Sequence, residues 1–331
     1  MTINLVCDKE SIRHNTRVLS QFLKKHDVTT MVVTKSLRAN QKICDIFLQE
    51  GLYSLGDSRL KNIIQLRGTY QNKAELCLMR PPSLAEIPET VQYADSSFHC
   101  TQATIAETIN SCHTLKKSHK LGLIADVGHG REGFELSALR AAAELIRGSP
   151  YTQLDSIACY LSNEETSEHY QATFEQICDL RKALMADLQL NYLRLSVGSS
   201  LCFGTLYKEP HLLASLDEYR LGTAILLGIS SSVGNQKIEG LSQNTFHLEV
   251  DIMQEKGRQL IIPIGLCDVN PNDLICPNGV KVEHAFSDHL VLSRDSSWEP
   301  KVRGTVVFQL NYYSLNRLMM SPYVTFRFTT L

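Results

Sequence analysis

From residue 8 to about residue 228, short apolar segments alternate with longer segments in which apolar residues recur at helical spacing. No other feature of the sequence constrains the possible folds as strongly. The apolar segments that predict strands are Thr30–Val33, Tyr53–Leu55, Leu76–Leu78, Leu121–Ala125, Ser156–Ala158, Leu193–Ser196 and Tyr219–Leu221. A strand, a helix and a second strand in succession favour parallel pairing, because a parallel connection needs a long crossover. About eight such units predict a closed (β/α)8 barrel of the α/β class.

Helical periodicity is clearest over Ser167–Asp187, where apolar side chains recur at every third or fourth position. This spacing predicts one long amphipathic helix. Shorter helices are predicted over Gln41–Glu50, which Gly51 would end, and over Ser137–Arg147.

The pattern changes after Gly228. Phe246–Val250 and Val302–Leu310 alternate with a period of two, which indicates strands, and little of this part has a helical period. We therefore expect a second, antiparallel β-domain, with the boundary near residues 230–240 in the polar stretch Ser230–Asn235. The predicted domains are the barrel at 8–232 and the β-domain at 240–331 together with 1–7.

Composition excludes several classes of protein. The net charge is −2 without a block of like charges, so nothing favours binding to nucleic acid or to a membrane surface. The start lacks a signal-peptide pattern, and the longest apolar run, near Ala224–Ile229, is too short to cross a bilayer, so we expect a cytoplasmic protein. The ten cysteines are scattered without a CxxC pair, which predicts reduced packing residues rather than disulfides or a metal site.

Lys35 directly follows the apolar run Met31–Thr34, at the carboxyl end of a predicted barrel strand. Catalytic residues of βα barrels lie at this end. A partly buried lysine amine is readily neutral and nucleophilic, as formation of a Schiff base requires. The alternative is a solvated lysine at the start of a loop.

Small residues end two late strands, in Ser196–Ser200 and Arg220–Thr223. Glycine and serine there let backbone N–H groups and hydroxyls reach a phosphate, and late strands are the usual phosphate position of this barrel. Gly56–Arg59 and Asp126–Gly133 mix glycine with charge at other strand ends, although each also suits a turn and a helix cap.

Together these blocks resemble the alanine racemase superfamily of pyridoxal phosphate (PLP) enzymes of fold type III, and most of all its ornithine/alanine racemase-like branch. The resemblance runs over nearly the whole chain. The blocks that carry it are Val33–Lys35, Gly56–Arg59 with Asn62, Arg131–Gly133, Tyr219–Gly228, Ser287–Leu290, and Asn311-Tyr312 with Ser321–Tyr323. It implies a PLP-binding barrel followed by a β-domain, a small-molecule amino-acid substrate, and a homodimer whose subunits share their active sites.

The resemblance also implies roles for individual residues. Lys35 would carry PLP as a Schiff base and take the Cα proton of the substrate. Arg131 would lie near the phenolic oxygen of the cofactor, and Tyr160 would pack against the pyridine ring, where the family usually has His or Asn. The residues that would bind the phosphate are Ser196, Gly198, Ser199, Gly222, Thr223 and Tyr312.

Arg220 matches the arginine that contacts the pyridine nitrogen in racemases, where the related decarboxylases have glutamate. Arginine stays protonated and can only donate a hydrogen bond. It therefore holds the nitrogen unprotonated and weakens the cofactor as an electron sink, which favours Cα proton exchange over decarboxylation and transamination.

The chain departs from the family at the second catalytic base. Where alanine racemases have a tyrosine of the partner subunit, this sequence has Leu266, which cannot transfer protons. The neighbouring thiol of Cys267 is a candidate acid, and a buried packing cysteine is the alternative. Asp268 echoes an aspartate of basic-amino-acid decarboxylases that receives the distal ammonium of the substrate, unless it caps a turn at Val269–Pro271.

These observations predict a PLP-dependent racemase acting on a basic amino acid, such as ornithine or lysine, or on a small one. Two alternatives stay open. Cys267-Asp268 favours a decarboxylase of basic amino acids, whereas Arg220 favours a racemase. A non-catalytic PLP-binding protein is the third reading, although single-domain relatives of that kind lack the β-domain expected here.

Overall fold

Strands and helices alternate through the first two thirds of the chain, and strands dominate the remainder, as the sequence predicts. The strands are β1 (Ile3–Cys7), β2 (Thr29–Val33), β3 (Ser54–Asp57), β4 (Glu75–Leu78), β5 (Ser96–His99), β6 (His119–Ile124), β7 (Thr152–Tyr160), β8 (Arg194–Gly198), β9 (Glu218–Leu221), β10 (Phe246–Asp251), β11 (Gln254–Lys256), β12 (Gln259–Ile262), β13 (Leu274–Ile275), β14 (Val280–Ala285), β15 (Leu290–Arg294), β16 (Thr305–Leu310) and β17 (Thr325–Phe328). The α-helices are α1 (Lys9–Lys25), α2 (Gln41–Gln49), α3 (Leu60–Tyr70), α4 (Ile87–Tyr93), α5 (Gln102–Leu115), α6 (Leu139–Arg147), α7 (Ser167–Asp187), α8 (Phe203–Lys208), α9 (Thr223–Leu227) and α10 (Tyr312–Met320).

The computed structural model describes residues 2–128, 130–161, 166–230, 236–300 and 304–329. The chain divides into two compact units, of which the barrel unit comprises Thr16–Lys35 and the described parts of Ala39–Gly222. The β-unit comprises Ser36–Arg38 and the described parts of Met1–Asn15 and Thr223–Leu331. Residues 231–235 of the predicted boundary lie outside the described ranges, and the domain limits of 8–232 and 240–331 with 1–7 stay a prediction.

A closed barrel of eight parallel strands, β2 to β9 in sequence order, forms the barrel unit. The predicted (β/α)8 barrel is confirmed. Inside it, side chains from strands around the barrel pack into one apolar cluster, because alternate residues of each strand point inward. The cluster consists of Met31, Cys77, Met79, Phe98, Ile124 and Ala158, with Val33 and Tyr160 packed against it.

Helix bounds agree closely with the sequence pattern. Helix α7 occupies Ser167–Asp187 as predicted, and α2 ends one residue before the predicted Glu50, with Gly51 at φ +81°. The strand β5 was not predicted, because its sequence Ser96–His99 contains a single apolar residue. All four of its residues are nevertheless buried: Phe98 packs in the apolar cluster, and Ser97 and His99 are accommodated by hydrogen bonds.

A polar cluster between β5, β6 and α5 explains that burial. The Ser97 hydroxyl lies 2.8 Å from Nε2 of His99 and 2.8 Å from Nε2 of His119, and His99 Nδ1 lies 3.1 Å from the Thr104 hydroxyl. Ser97 can donate only one proton, so one imidazole accepts from it and the other donates to it. Burial lowers the pKa of both imidazoles, each to about 3.

These two histidines should make the barrel unit sensitive to acid. The unfolded chain takes up their protons below about pH 6.5, whereas the folded chain does not, so the free energy of unfolding falls as the pH falls from about 6.5 toward 3. At about pH 5 the expected loss is about 2 kcal/mol per histidine. Urea unfolding at about pH 7 and pH 5 should show a smaller pH difference for His119→Gln than for the wild type. The exposed His211→Gln serves as the control, and an unchanged difference in His119→Gln would contradict the assignment.

The β-unit contains two sheets. Five strands pair in the order β13-β16-β10-β1-β17, and four pair in the order β11-β12-β15-β14. The pairs are antiparallel, as predicted, except that β1 and β17 run parallel. In β10, buried and half-buried residues alternate, which confirms the predicted period of two. The described strand β16 begins at Thr305, and Val302 of the predicted strand lies outside the described residues.

Over the described parts of the chain, no helix is both long enough and apolar enough to span a membrane.

Candidate active site

Lys35 lies at the carboxyl end of β2, where Thr34 separates it from the last strand residue, Val33. The observed end of this strand, Val33, is the end predicted for the segment Thr30–Val33. Lys35 begins a short 3-10 helix, Lys35–Leu37, and its side chain is half-buried. This position, at the end of the barrel where catalytic side chains lie, is the one that the sequence pattern predicted.

A buried carboxylate fixes the backbone just before Lys35. Asp57, at the end of β3, is fully buried and accepts a hydrogen bond of 2.7 Å from the Thr34 hydroxyl. It also accepts from the amide of Asn62 at 3.1 Å and from the backbone N–H of Arg59 at 2.8 Å. Burial raises the pKa of Asp57, although these hydrogen bonds oppose the rise. The Gly56–Arg59 block thus orients the residue before the lysine as well as the start of α3.

Arg220, on β9, is 2% exposed and is held by acceptors on two neighbouring strands. Its Nη1 donates to the carbonyl and to the hydroxyl of Ser196, each at 2.7 Å, and its Nη2 donates to the Cys159 carbonyl at 2.7 Å. Its Nε is buried and has no hydrogen-bond partner among the residues that the structure describes. A buried N–H without an acceptor is costly, so this donor indicates a missing acceptor in the site.

Gly198 leaves space beside this donor, and Gly222 leaves space beside β2. A Cβ on Gly198 would lie 3.1 Å from Arg220 Nε, and a Cβ on Gly222 would lie 3.2 Å from the Cβ of Val33. Both contacts are tighter than normal, so side chains there would crowd the arginine and the strand that leads to Lys35. An aromatic nitrogen that can only accept fits the orphaned Nε–H, and the pyridine nitrogen of PLP is such a group. The residues of the barrel unit therefore fit the cofactor.

The loop after β8 presents the predicted phosphate ligands. Ser199 and Ser200 are half-buried, and the Ser200 hydroxyl accepts from the backbone N–H of Gly222 at 3.4 Å. The phenol of Tyr219 donates to the Ser199 carbonyl at 2.8 Å and lies 3.1 Å from the thiol of Cys202. This buried phenol joins the two ends of the loop. Phosphate binding by Ser199, Gly198 and Gly222 stays a prediction.

Ser196 lies elsewhere in the site. It is fully buried, and its hydroxyl donates to the Glu218 carboxylate at 2.6 Å while it accepts from Arg220. Its single hydroxyl proton goes to Glu218, so none is left to donate to a phosphate. The geometry therefore does not support the predicted binding of the phosphate by the Ser196 hydroxyl.

Tyr160 and Arg131 lie next to each other. The guanidinium carbon of Arg131 lies 4.5 Å from the centre of the Tyr160 ring, and that of Arg220 lies 4.8 Å from it. Arg131 is also paired with Glu132 at 2.7 Å and is 55% exposed. Burial raises the pKa of the Tyr160 phenol despite the nearby arginines, so the ring is neutral at physiological pH. The structure thus places Tyr160 against both arginines.

The other predicted residues belong to the β-unit. Leu266, Cys267 and Asp268 form a turn, and Cys267 is exposed, so the alternative of a buried packing cysteine is wrong. The Asp268 carboxylate accepts from the Ser321 hydroxyl at 2.9 Å. The cap of the following 3-10 helix is Asn270, not Asp268, which removes the turn-cap alternative.

Tyr312 and Thr223 also belong to the β-unit, and both are half-buried first residues of helices. Thr223 begins α9 directly after Gly222. Tyr312 begins α10, whose N-cap is Asn311, and its ring contacts that of Tyr313 with 5.5 Å between the centres. Their phosphate roles stay predictions.

Sequence reasoning gave no individual role to three residues of the barrel site: Glu218, Ser200 and Thr34. Glu218 is two residues before Arg220 on the same strand, so the period of two already places both side chains on one face. Ser200 stands beside the predicted Ser199. The contact of Thr34 with Asp57 could not be predicted, because the two residues are distant in sequence.

Comparison with known proteins agrees with this geometry. Residues 7–230 match the family described as alanine racemase, N-terminal domain. The lysine racemase of Thermotoga maritima is 24% identical over 97% of this chain and 96% of its own length. The ornithine racemase of Acetoanaerobium sticklandii is 24% identical over 97% of this chain and 98% of its own length.

Solved structures share the fold. An alanine racemase of Clostridium difficile 630, in complex with cycloserine, has a TM-score of 0.81 at 14% identity and covers 99% of this chain and 95% of that chain. The D-threonine aldolase of Filomicrobium marinum has a TM-score of 0.78 at 11% identity, over 96% of this chain and 88% of that chain. With the family match over two thirds of its length, the chain belongs to the alanine racemase family of PLP-dependent amino-acid racemases.

Proposed function

We propose that the chain racemises a basic amino acid, ornithine or lysine, with PLP bound on Lys35. The observation that carries this proposal is the buried Nε–H of Arg220, which has no partner within the described ranges of the chain. A permanently protonated arginine can only donate to the cofactor nitrogen, which suits proton exchange and opposes decarboxylation. The substrate class is supported by the two relatives named lysine racemase and ornithine racemase.

The residues that would hold the cofactor come from the ends of several barrel strands. Lys35 would bind it covalently, Arg220 would donate to its nitrogen, and Tyr160 and Arg131 would contact its ring. Gly198 and Ser199, with Gly222, Thr223 and Tyr312, would bind its phosphate. When bound, PLP withdraws electrons from Cα and so makes the Cα–H bond of the substrate acidic.

Two groups would move the proton. The amine of Lys35 would remove it from one face of the substrate. We assign the return of a proton on the opposite face to the thiol of Cys267, since Leu266 cannot transfer protons and Cys267 is exposed. Transfer from one face and return on the other inverts the Cα centre.

Asp268 would select a basic substrate. Its carboxylate can accept a charge-assisted hydrogen bond from the distal ammonium of ornithine or lysine, and the Ser321 hydroxyl orients it. Because Cys267 and Asp268 lie in the β-unit, we propose that a second copy of the chain supplies them in a homodimer with shared active sites. We further propose that the dimer acts in the cytoplasm.

Deuterium exchange tests the reaction. The PLP-loaded protein is incubated in D2O with L-ornithine, L-lysine and L-alanine, and both Cα deuteration and chirality are measured. A racemase incorporates deuterium and forms the D-enantiomer. Exchange with retained chirality would contradict the role of Cys267, release of carbon dioxide would indicate a decarboxylase, and cofactor binding without exchange would indicate a non-catalytic PLP-binding protein.

Asp268→Asn should change the substrate preference. Loss of the carboxylate is expected to lower kcat/KM for ornithine roughly tenfold or more relative to that for alanine, since a hydrogen bond to a charged group contributes about 1.5–3 kcal/mol. The control is Asp288→Asn, which removes an exposed carboxylate from the same unit. Equal losses for ornithine and alanine would show that Asp268 does not bind the distal ammonium.

A further inference from the structure

The hydroxyl of Ser196 separates two oppositely charged side chains inside the barrel. On one side Arg220 Nη1 donates to it at 2.7 Å, and on the other it donates to Glu218 at 2.6 Å. Ser196 is 0% exposed, Glu218 1% and Arg220 2%. The three side chains therefore interact without competition from solvent, where such contacts are strongest.

The direction of these hydrogen bonds is fixed. Arginine has no acceptor, so it must donate to the serine oxygen, and the single hydroxyl proton must then go to the carboxylate. The order from Arg220 through Ser196 to Glu218 has no alternative. Nη1 and Nη2 are both engaged, so Nε is the guanidinium nitrogen that has no partner among the described residues.

Glu218 has a second, direct partner. Arg194 donates to its other oxygen at 2.8 Å and also pairs with Asp155. Arg194, Arg220, Glu218 and Asp155 contain equal numbers of positive and negative charges, so the group is neutral as a whole. The Glu218 carboxylate therefore has a direct partner in Arg194, and Arg220 contacts it only through Ser196.

We propose that Ser196 is a positioning residue that keeps Arg220 from pairing directly with Glu218 and so holds its Nε–H at the cofactor nitrogen. This inference rests on the proposed PLP site. Without the hydroxyl, Glu218 loses a donor and Arg220 loses an acceptor, and a direct ion pair satisfies both. Forming that pair turns the guanidinium toward Glu218 and removes Nε from the nitrogen.

The effect is measurable as cofactor affinity without turnover. The apoprotein is titrated with PLP and with 1-deaza-PLP, in which the ring nitrogen is replaced by CH, and the ratio of the two Kd values reports the contact of Nε with the nitrogen. The wild type should prefer PLP roughly tenfold or more, as expected for a charge-assisted hydrogen bond. Ser196→Ala should bring the ratio close to one.

A second substitution distinguishes loss of the Arg220 position from general damage to the site. In Ser196→Ala/Glu218→Gln the carboxylate that attracts Arg220 is gone, so the preference for PLP should return to at least half of the wild-type ratio. Ser196→Thr keeps the hydroxyl and should keep the ratio. Ser156→Ala is the matched control, because Ser156 is a buried serine on the neighbouring strand β7. Circular dichroism confirms that each variant is folded.

The outcomes distinguish the two proposals. A wild type that does not bind PLP would overturn the proposed function, and the positioning role with it. A wild type that binds PLP but shows no preference over the deaza compound would overturn the positioning role alone. So would a Ser196→Ala variant that keeps the wild-type ratio, or a double variant that fails to restore it.

Discussion

Replacing Lys35 by alanine is expected to abolish racemisation, with a fall in kcat on the order of 10⁴-fold or more, because one side chain both holds the cofactor and moves the Cα proton. The absorption spectrum of the PLP-loaded variant should be that of free PLP. Reduction with borohydride should attach the cofactor to Lys35 in the wild type, as peptide mass spectrometry would show, and to no peptide in the variant.

Lys42→Ala is the control for this experiment. Lys42 is an exposed lysine on α2, close to Lys35 in sequence, and its removal should leave both the spectrum and the activity unchanged. Attachment of the cofactor to any other lysine, or substantial activity in Lys35→Ala, would refute the assignment. The half-buried position of Lys35 after β2, with Thr34 fixed by Asp57, is the structural reason for expecting one reactive lysine.

Arg220→Gln should change which reaction the cofactor supports. Glutamine can accept as well as donate, so the pyridine nitrogen can become protonated and the cofactor becomes a stronger electron sink. We expect kcat for racemisation to fall about 10²-fold, the scale expected for loss of one electrostatic contact at a reacting centre. Conversion of PLP to pyridoxamine phosphate during incubation with substrate should rise at least about tenfold relative to racemisation.

The products distinguish a change in the reaction from a loss of folded protein. Chromatography of the released cofactor measures pyridoxamine phosphate, and polarimetry measures racemisation. Because removal of one partner of a buried charged group costs about 3–5 kcal/mol, urea unfolding must show that the variant is folded at the assay temperature. The exposed Arg140→Gln is the control. A loss of racemisation without any rise in pyridoxamine phosphate would contradict the role assigned to Arg220.

The barrel could be predicted because its signal is local and repeated. Apolar strand segments followed by helical periods recur along the barrel unit, and α7 occupies the predicted residues. Strand β5 escaped prediction because Ser97 and His99 are polar. Their burial depends on His119 and Thr104, which only the folded barrel brings near.

In the site, too, some residues could be predicted from local sequence and others could not. Lys35 and Arg220 follow from the ends of strands, where the barrel concentrates function. Ser196 was placed on the phosphate from its position in a Gly-Ser turn, but the structure turns its hydroxyl toward Glu218. Which of several small residues meets the phosphate depends on side-chain directions within the barrel, and composition does not contain that information.

The pairing of β1 with β17 affects how the chain can fold as it is synthesised. Ile3–Cys7 lies in the five-stranded sheet between β10 and β17, which is formed by Thr325–Phe328. The barrel strands are complete once residue 221 has left the ribosome, whereas this sheet must wait for the last strand. Because closing so long a loop is slow, the edge of β1 stays unpaired in the meantime and is open to association with other chains.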